Sequence, residues 1–235
     1  MSTPIEFRPG AERYRTDLGW LQSWHSFSFG EHQDPANRGH GQLLVSNDDT
    51  VQAGGGFGTH AHRDMEIVTW VLSGELEHRD SEGNYGVLYP GLAQRMSAGR
   101  GIRHSEMNAS TENAVHFIQM WVTPDVTGID PGYEQRDLNQ ALAGGGLVPL
   151  ASGQGHDGAV AIHQVGAVLW GARLAVGGSI TVPDGAHVHV FVATGSATCG
   201  DREMVAGDAV RLVNAGEMSL SAHDEAAEIL IWVTG

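Results

Sequence analysis

The chain consists of short apolar runs of strand length separated by glycine, asparagine, aspartate and proline, and this pattern limits the folds it can adopt. The runs are rich in Val, Ile, Leu, Phe and Trp, as buried strands require. Residues 80–84 predict a hairpin loop, and only residues 137–143 have a helical pattern. Because many short strands alternate with turns, we expect an all-β fold. The predicted strands are residues 42–46, 66–72, 75–79, 86–89, 116–122, 187–193 and 229–233.

Composition supports the same class and excludes one kind of partner. Glycine supplies 33 of the 235 residues, roughly twice its usual share of about 7%, which suits tight turns better than long helices. The 13 basic and 28 acidic side chains give a net charge of −15. Because nucleic-acid phosphates are neutralised by Lys and Arg, we expect no direct binding to nucleic acid.

The sequence also bears on the compartment. A single cysteine, Cys199, excludes an internal disulfide, and without a basic neighbour it is expected to be non-catalytic. The longest apolar runs, such as residues 67–72, are too short to cross a bilayer. Residues 1–15 carry charges and no apolar run, so we expect no signal peptide and a cytoplasmic location.

Composition changes near the middle of the chain. Residues 144–146 and 151–158 are rich in glycine and polar residues and are typical of loops. We therefore expect a boundary close to residues 136–150, with an N-terminal domain at 1–136 and a C-terminal domain at 137–235. The alternative is one large barrel with a long insertion.

Two histidine-bearing segments suggest a metal site. His60 and His62 differ by two residues, so on a strand both imidazoles point to one face, and Asp64 and Glu66 are expected to share it. Such alternation also occurs on solvated faces, which is the simpler explanation. However, the run at residues 67–72 is almost wholly apolar, and an inward polar cluster beside it is costly without a ligand.

The second segment repeats this logic. His104 and Glu106 share a face, with Asn108 following on it. If the two strands are neighbours, three imidazoles and one carboxylate face a common point. A His₃Glu set suits a first-row divalent metal, and without thiolates it is unlike a structural zinc site. We predict His60, His62, His104 and Glu106 as metal ligands, with open positions for substrate or dioxygen.

These residues resemble the cupin motifs and, more specifically, those of the pirin family. Gly54, five residues, His60-x-His62, three residues and Glu66 match the first cupin motif, although the next glycine comes one position late. The second motif keeps Gly101-x-x-His104, with glycine at the usual proline position. Other similar stretches lie at residues 24–29, 58–66, 96–99 and 133–135, so the resemblance covers most of residues 18–136.

The resemblance implies a bicupin, with two β-barrel (double-stranded β-helix) domains packed face to face and a metal only in the first. It implies that Glu106 is the acidic ligand, whereas Glu66, the ligand of ordinary cupins, has a supporting or structural role. The implied cofactor is one divalent transition metal: iron first, with Mn, Ni, Cu or Zn also compatible with this ligand set. Several family members have quercetin 2,3-dioxygenase activity, and the mammalian member is discussed as a transcriptional co-regulator.

The second half contains a His-x-His of its own, His187-Val-His189. Glu66 and His187 each precede a turn glycine by eight residues, so His187 aligns with the glutamate position of the first half. The positions equivalent to the metal-binding pair are then Thr181 and Pro183, which are poor ligands for a transition metal. We therefore expect no metal there, and two histidines that are exposed or hydrogen-bonded.

Other candidates rank lower. We expect His78 at the surface of its hairpin, and His25 and His40 as solvated groups, although both could line the mouth of the domain. Four aromatic residues could wall a pocket but are more typical of core packing. They are Trp20, Trp24, Phe27 and Phe29.

The resemblance thus implies a metal-dependent dioxygenase that acts on flavonol-like phenols with dioxygen as co-substrate, and Glu106 is the expected base. The alternative is a non-enzymatic redox-sensing regulator that binds a protein partner, which the sequence does not specify. A metal-bound isomerase or a sugar-binding cupin is a third hypothesis, because fold does not fix function. An open coordination position joined to a substrate-sized cavity would favour the enzyme, whereas a sealed site would favour the regulator.

Overall fold

The computed structural model describes residues 5–235 and is almost entirely β-structure; the first four residues of the predicted N-terminal domain lie outside this range. The first half contains β1 (Ile5–Arg8), β2 (Tyr14–Asp17), β3 (Leu21–His25), β4 (Leu43–Val51), β5 (Gly56–His62), β6 (Glu66–Ser73), β7 (Leu76–Asp80), β8 (Tyr85–Leu88), β9 (Leu92–Ser97), β10 (Ile102–Asn108), β11 (Val115–Val122) and β12 (Gly132–Asp137). The second half contains β13 (Val148–Ser152), β14 (Val160–Ala161), β15 (Ala167–Leu174), β16 (Ser179–Val182), β17 (His187–Thr194), β18 (Ser196–Cys199), β19 (Arg202–Val205), β20 (Ala209–Val213), β21 (Met218–Ser221) and β22 (Ala227–Thr234).

All seven predicted strands are present, shifted by a few residues at most at their ends except β4, which runs on to Val51. The predicted helical segment contains α1 (Asn139–Leu142), and a short 3-10 helix spans Gly10–Glu12. Among the described residues, no helix combines the length and the apolar character needed to cross a membrane.

Each half of the molecule forms two sheets, of seven and four strands, which are antiparallel except for the parallel pair β13–β14. This architecture confirms the all-β bicupin prediction. The first half has the orders β12-β9-β6-β11-β4-β3-β2 and β5-β10-β7-β8. The second half has the orders β1-β20-β17-β22-β15-β13-β14 and β16-β21-β18-β19. The two sheets of each half keep separate edge strands, so each half is a jelly-roll-like double-stranded β-helix and its barrel is not closed.

The β7–β8 hairpin shows how the local sequence sets the turns. Asp80 ends β7, and its Oδ1 accepts hydrogen bonds from the backbone N–H groups of Glu82, at 3.0 Å, and Asn84, at 2.9 Å. A short acidic side chain can thus replace a backbone acceptor within a turn. The predicted loop at residues 80–84 is confirmed.

The two seven-stranded sheets pack face to face through an apolar cluster that spans both halves. Strand β11 contributes Ile118 and Met120, and the second half contributes Leu169, Leu230 and Trp232. The Trp232 indole N–H lies 3.1 Å from the sulfur of Met120. Burial of this continuous apolar surface is the main favourable term holding the halves together.

The N-terminal strand joins the two halves in a second way. Residues Ile5–Arg8 form β1, which pairs with β20 at the edge of the large sheet of the second half. The chain then enters the first half through β2 and β3. A domain division at residue 136 stays a prediction, and this strand lies across it.

The interface predicts a large stability effect at Leu169, which is fully buried in the shared cluster. Leu169→Ala leaves a cavity between the sheets, and we expect the free energy of unfolding to fall by about 2–5 kcal/mol. Urea unfolding followed by circular dichroism measures the loss. The matched control is Leu18→Ala, whose side chain is exposed and whose removal should change stability by less than about 0.5 kcal/mol. Equal effects in both variants would contradict the interface as described.

Candidate metal centre and its pocket

The two histidine-bearing segments are adjacent strands, as the sequence predicted. Strands β5 and β10 pair antiparallel, with His60 opposite His104 and His62 opposite Ile102. The register shifts between His104 and Glu106, which marks a β-bulge at the site. Bulges redirect side chains beside functional sites, and this one lies between two predicted ligands.

The three histidines converge. The ring centroids of His60 and His104 are 4.4 Å apart, those of His60 and His62 are 4.8 Å apart, and those of His62 and His104 are 5.0 Å apart. One ring nitrogen from each lies within 4.8 Å of the others, as a shared metal ion would require.

Their hydrogen bonding leaves ring nitrogens available. His60 Nδ1 lies 2.8 Å from the Gly58 carbonyl and donates to it, which leaves Nε2 as the free acceptor. His62 Nε2 and both ring nitrogens of His104 are buried and have no hydrogen-bond partner among the described residues. Buried polar atoms are rarely left unpaired, so these atoms call for a ligand.

Burial keeps the imidazoles of His62 and His104 neutral. Burial, reinforced by His60, lowers the pKa of His62 to about 4. Burial, reinforced by His60 and His62, lowers the pKa of His104 to about 2. Because a metal ion binds the neutral form of histidine, the donor set fits a divalent transition metal.

Glu106 lies deeper than the histidines. Its buried carboxylate accepts hydrogen bonds from the Gln119 amide nitrogen at both oxygens, at 2.9 and 2.8 Å. Gln119 is held in turn by the Trp121 indole N–H, which donates to its Oε1 at 3.1 Å. Burial raises the pKa of Glu106, against the opposing effect of Gln119. Two side chains of β11, Trp121 and Gln119, therefore hold the Glu106 carboxylate of β10 in place through a chain of hydrogen bonds.

The structure assembles two overlapping groups of possible ligands. His60, His62 and His104 form the first, and His78, His104 and Glu106 form the second. His104 belongs to both groups. A Glu106 oxygen lies within 4.8 Å of a His104 ring nitrogen, but the four residues His60, His62, His104 and Glu106 do not form a single group. Ligation by all four predicted residues stays a prediction.

His78 is the residue that sequence reasoning missed. The expectation that it lies at the surface is wrong, because its side chain is fully buried, 3.3 Å from Asp80 and with Nδ1 unpartnered among the described residues. It lies opposite Glu106 in the β7–β10 register. The sequence does contain a signal for its burial: Leu76, an apolar residue two positions earlier, lies on the inward face of β7, and His78 shares that face.

The expectation for Asp64 and Glu66 is also wrong. Strand β5 ends at His62, and Asp64 adopts a left-handed conformation with φ 49° that redirects the chain into β6. Glu66 consequently lies on the opposite, interdomain face of the large sheet. Its Oε2 accepts hydrogen bonds from Ser97 Oγ at 2.8 Å and from the backbone N–H of His163 at 3.1 Å. It thus bridges the two halves of the molecule.

A cavity of about 590 Å³ opens beside the histidines. His60, His62 and Glu106 line it, so the site is accessible from a space large enough for a drug-sized ligand. The expectation of core packing is wrong for Phe29, which lines this pocket. It is confirmed for Phe27, which is buried in the interdomain cluster. The other aromatic walls are Phe57 and Trp121.

Polar groups line the part of the pocket formed by β3 and β4. His25, expected in a solvated loop, is instead buried on β3, and its ring nitrogens contact Thr16 Oγ1 and Asn47 Oδ1, each at 2.9 Å. Asp49 is buried next to it, with Oδ1 unpartnered among the described residues. Burial raises the pKa of Asp49 to about 7, against the hydrogen bond from Ser23.

The second half differs at each equivalent position. His187 begins β17 opposite Thr234, just as Glu66 begins β6 opposite Val122, so the alignment of His187 with Glu66 is supported. The expectation that His189 is exposed or hydrogen-bonded is wrong: it is buried, its Nε2 is unpartnered among the described residues, and burial lowers its pKa well below the usual value. A second half without metal stays a prediction.

Cys199 is buried, as a non-catalytic cysteine would be. Burial raises the pKa of its thiol to about 11, which disfavours the reactive thiolate.

Comparison with known proteins matches both halves. The Pirin family profile matches residues 8–122, and the profile of the quercetinase C-terminal cupin domain matches residues 149–232. A Mycobacterium tuberculosis relative, provisionally named a quercetin 2,3-dioxygenase, is 53% identical over 99% of this chain and 96% of its own length. The Escherichia coli protein named quercetin 2,3-dioxygenase is 48% identical over 68% of each chain.

A solved structure has the same architecture. The bacterial pirin YhhW from Escherichia coli, in complex with nickel(II), superimposes with a TM-score of 0.90 and 36% identity, over 98% of this chain and 99% of that one. Because these matches run through both halves and include the strands that hold the histidines, the chain belongs to the pirin family.

Proposed function

We propose that this protein is a metal-dependent dioxygenase of the pirin type that opens flavonol-like phenols with dioxygen, a quercetin 2,3-dioxygenase activity. The observation that carries the proposal is the set of three converging imidazoles beside an open, aromatic-walled pocket. The names of the Escherichia coli and mycobacterial relatives support the same activity. The pocket is accessible, which favours an enzyme over the redox-sensing regulator.

His60, His62, His104 and Glu106 are proposed to hold the metal, and residues 137–235 to serve as a metal-free supporting domain. Iron is the first candidate, the nickel(II) of the related Escherichia coli structure is the second, and Mn, Cu or Zn are compatible with the same donors. When bound, the metal supplies Lewis acidity that lowers the pKa of a phenolic hydroxyl. His62 and His104 would bind it without losing protons, because burial already keeps both imidazoles neutral.

The pocket walls are suited to a planar phenol. Phe29, Phe57 and Trp121 offer apolar surface and ring faces for stacking against aromatic rings. Phe29 and Trp121 are already in edge-to-face contact, with centroids 5.6 Å apart. Enclosing the reacting ring between these side chains excludes water and fixes its orientation.

Glu106 is placed to take the proton of the phenol. Burial raises its pKa, which makes the carboxylate a stronger base, and the Gln119 amide holds both of its oxygens in place. Asp49, whose carboxyl is protonated at mildly acidic pH, presents a second polar group at the pocket for a substrate oxygen.

Removing one imidazole is expected to abolish stable metal binding. His104→Ala deletes the residue that both ligand groups share, so metal affinity should fall by at least about tenfold. Elemental analysis after dialysis against metal measures the content. His223→Ala, which alters an exposed histidine of the second half, should keep the wild-type content. Undiminished metal in both His60→Ala and His104→Ala would refute the assigned site.

The activity itself is tested by anaerobic reconstitution with each divalent metal, followed by dioxygen uptake with quercetin and related flavonols. We expect uptake with at least one metal, and Glu106→Gln should lower turnover by about 10²–10⁴-fold while losing less metal. The exposed Glu203→Gln is the matched control.

Two outcomes would revise this proposal. Equal losses of metal and turnover in Glu106→Gln would show that Glu106 serves as a ligand only. Absence of uptake with every metal would favour the regulator instead.

Asp49 predicts a pH-dependent stability difference. Its pKa is about 7 in the folded protein and near 3.8 when unfolded, so folding is opposed increasingly as pH rises from 4 to 7. Asp49→Asn removes this unfavourable contribution. The free energy of unfolding of the variant minus that of wild type should therefore be larger at pH 8 than at pH 5, by roughly 2 kcal/mol. Urea unfolding at both pH values measures the difference. The exposed Asp201→Asn should show none, and a flat result for Asp49→Asn would contradict a protonated buried acid.

A further inference from the structure

A second cavity lies where β1 and β20 of the large second-half sheet meet the entry to the first half. Its volume is about 240 Å³, and it is lined by Arg8, Arg13 and Arg211 together with Ser26 and Asn37. Three of the 13 basic side chains of this acidic protein therefore line one small space.

The arginines have unused donors. Arg8 Nε, Arg13 Nη1, Arg211 Nε and Ser26 Oγ are buried and have no hydrogen-bond partner among the described residues. The side chains of Arg211 and Arg13 are only 4% and 10% exposed. Because a buried guanidinium N–H without an acceptor is costly, these donors call for oxygen acceptors in the cavity.

Two of the guanidinium groups are held in place. Arg13 lies 5.8 Å from the Trp24 ring centre and 5.5 Å from that of Phe191, and its Nη2 donates to Asp48 at 3.0 Å. Arg211 lies 4.4 Å from the centre of a phenylalanine ring, Phe27, and its Nη2 donates to a backbone carbonyl at 2.8 Å. Fixed guanidinium groups lose little entropy when they bind an anion.

Nearby carboxylates leave part of the donor set of these arginines unused. Glu6 pairs with Arg8 at 2.6 Å and lies 3.7 Å from Arg211, and Glu12 and Asp34 also line the cavity. Even so, Arg8 Nε and Arg211 Nε have no hydrogen-bond partner among the described residues, and burial and repulsion from Arg8 lower the pKa of Arg211 to about 10.

We propose that this cavity binds a small oxyanion with two or more acceptor oxygens, namely a phosphate group or a short dicarboxylate. Both present paired oxygens that match the forked N–H groups of arginine. The volume is less than half that of the metal-site pocket, which suits a compact anion and not a flavonol.

The proposed anion site adjoins the metal-site pocket. His25 lines both cavities. Tyr14, which lines the anion site, stacks on His32 of the larger pocket, with ring centroids 4.4 Å apart and an interplanar angle of 14°. The two spaces are therefore separated by one layer of aromatic side chains.

The test uses inorganic phosphate and succinate, titrated separately into metal-free protein in chloride buffer at constant ionic strength. Binding is followed by the thermal unfolding midpoint and by fluorescence of Trp24, which contacts Arg13. We expect a saturable rise of the midpoint for at least one anion. The tighter of the two identifies phosphate or carboxylate as the preferred group.

Variants locate the binding. Arg211→Gln should abolish saturation, and Arg8→Gln should weaken it about tenfold, the expected loss of one charge-assisted hydrogen bond. Trp24→Phe should remove the fluorescence change but keep the midpoint shift. Arg136→Gln, which alters an exposed arginine of the first half, should bind as wild type does.

The Arg8→Gln variant keeps the test decisive if Arg211→Gln does not fold. Because the Arg8 side chain is 37% exposed, we expect this variant to fold. No saturation by either anion would overturn the proposal and leave the cavity as a water-filled space. Wild-type affinity in Arg8→Gln, or in a folded Arg211→Gln, would overturn it as well.

Discussion

The large sheet of the first half is buried on both faces, and the metal pocket depends on this constraint. Strand β11 alternates between the two environments: Ile118 and Met120 enter the interdomain cluster, whereas Gln119 and Trp121 face the pocket. Packing against the second half therefore fixes the strand that positions Glu106. The second half contributes rigidity to the site through this shared sheet, without any of the predicted ligands.

The same burial determines the chemistry. Removing water from His62 and His104 disfavours their charged forms, so neutral nitrogens face the pocket at physiological pH. The opposite effect acts on Glu106 and Asp49, whose charged forms are penalised. One physical cause thus lowers the pKa of these imidazoles and raises the pKa of these carboxyls, as is typical of functional sites.

Sequence patterns could predict the strands and the converging pairs, because period-two alternation directly reports which face a side chain occupies. They failed where a single residue reverses the chain. The left-handed Asp64 turns Glu66 to the interdomain face, and no periodicity extends across such a turn. The position of His78 in a hairpin predicts an exposed side chain, although its alternation with the apolar Leu76 points inward. The open jelly rolls and the buried state of Asp49 depend on strands distant in sequence, which local patterns do not encode.

Comparison of the two halves separates folding from function. The second half builds the same pair of seven- and four-stranded sheets while placing Thr181 on β16, the counterpart of the histidine-bearing β5. Its architecture therefore forms without a histidine cluster on that strand, and Val188, Val190 and Val192 of β17 lie in its inner core. The histidines of the first half are not needed for the fold, and their unpartnered nitrogens oppose it. A chain that keeps such destabilising groups at an open pocket keeps them for binding, since packing gives no reason for them.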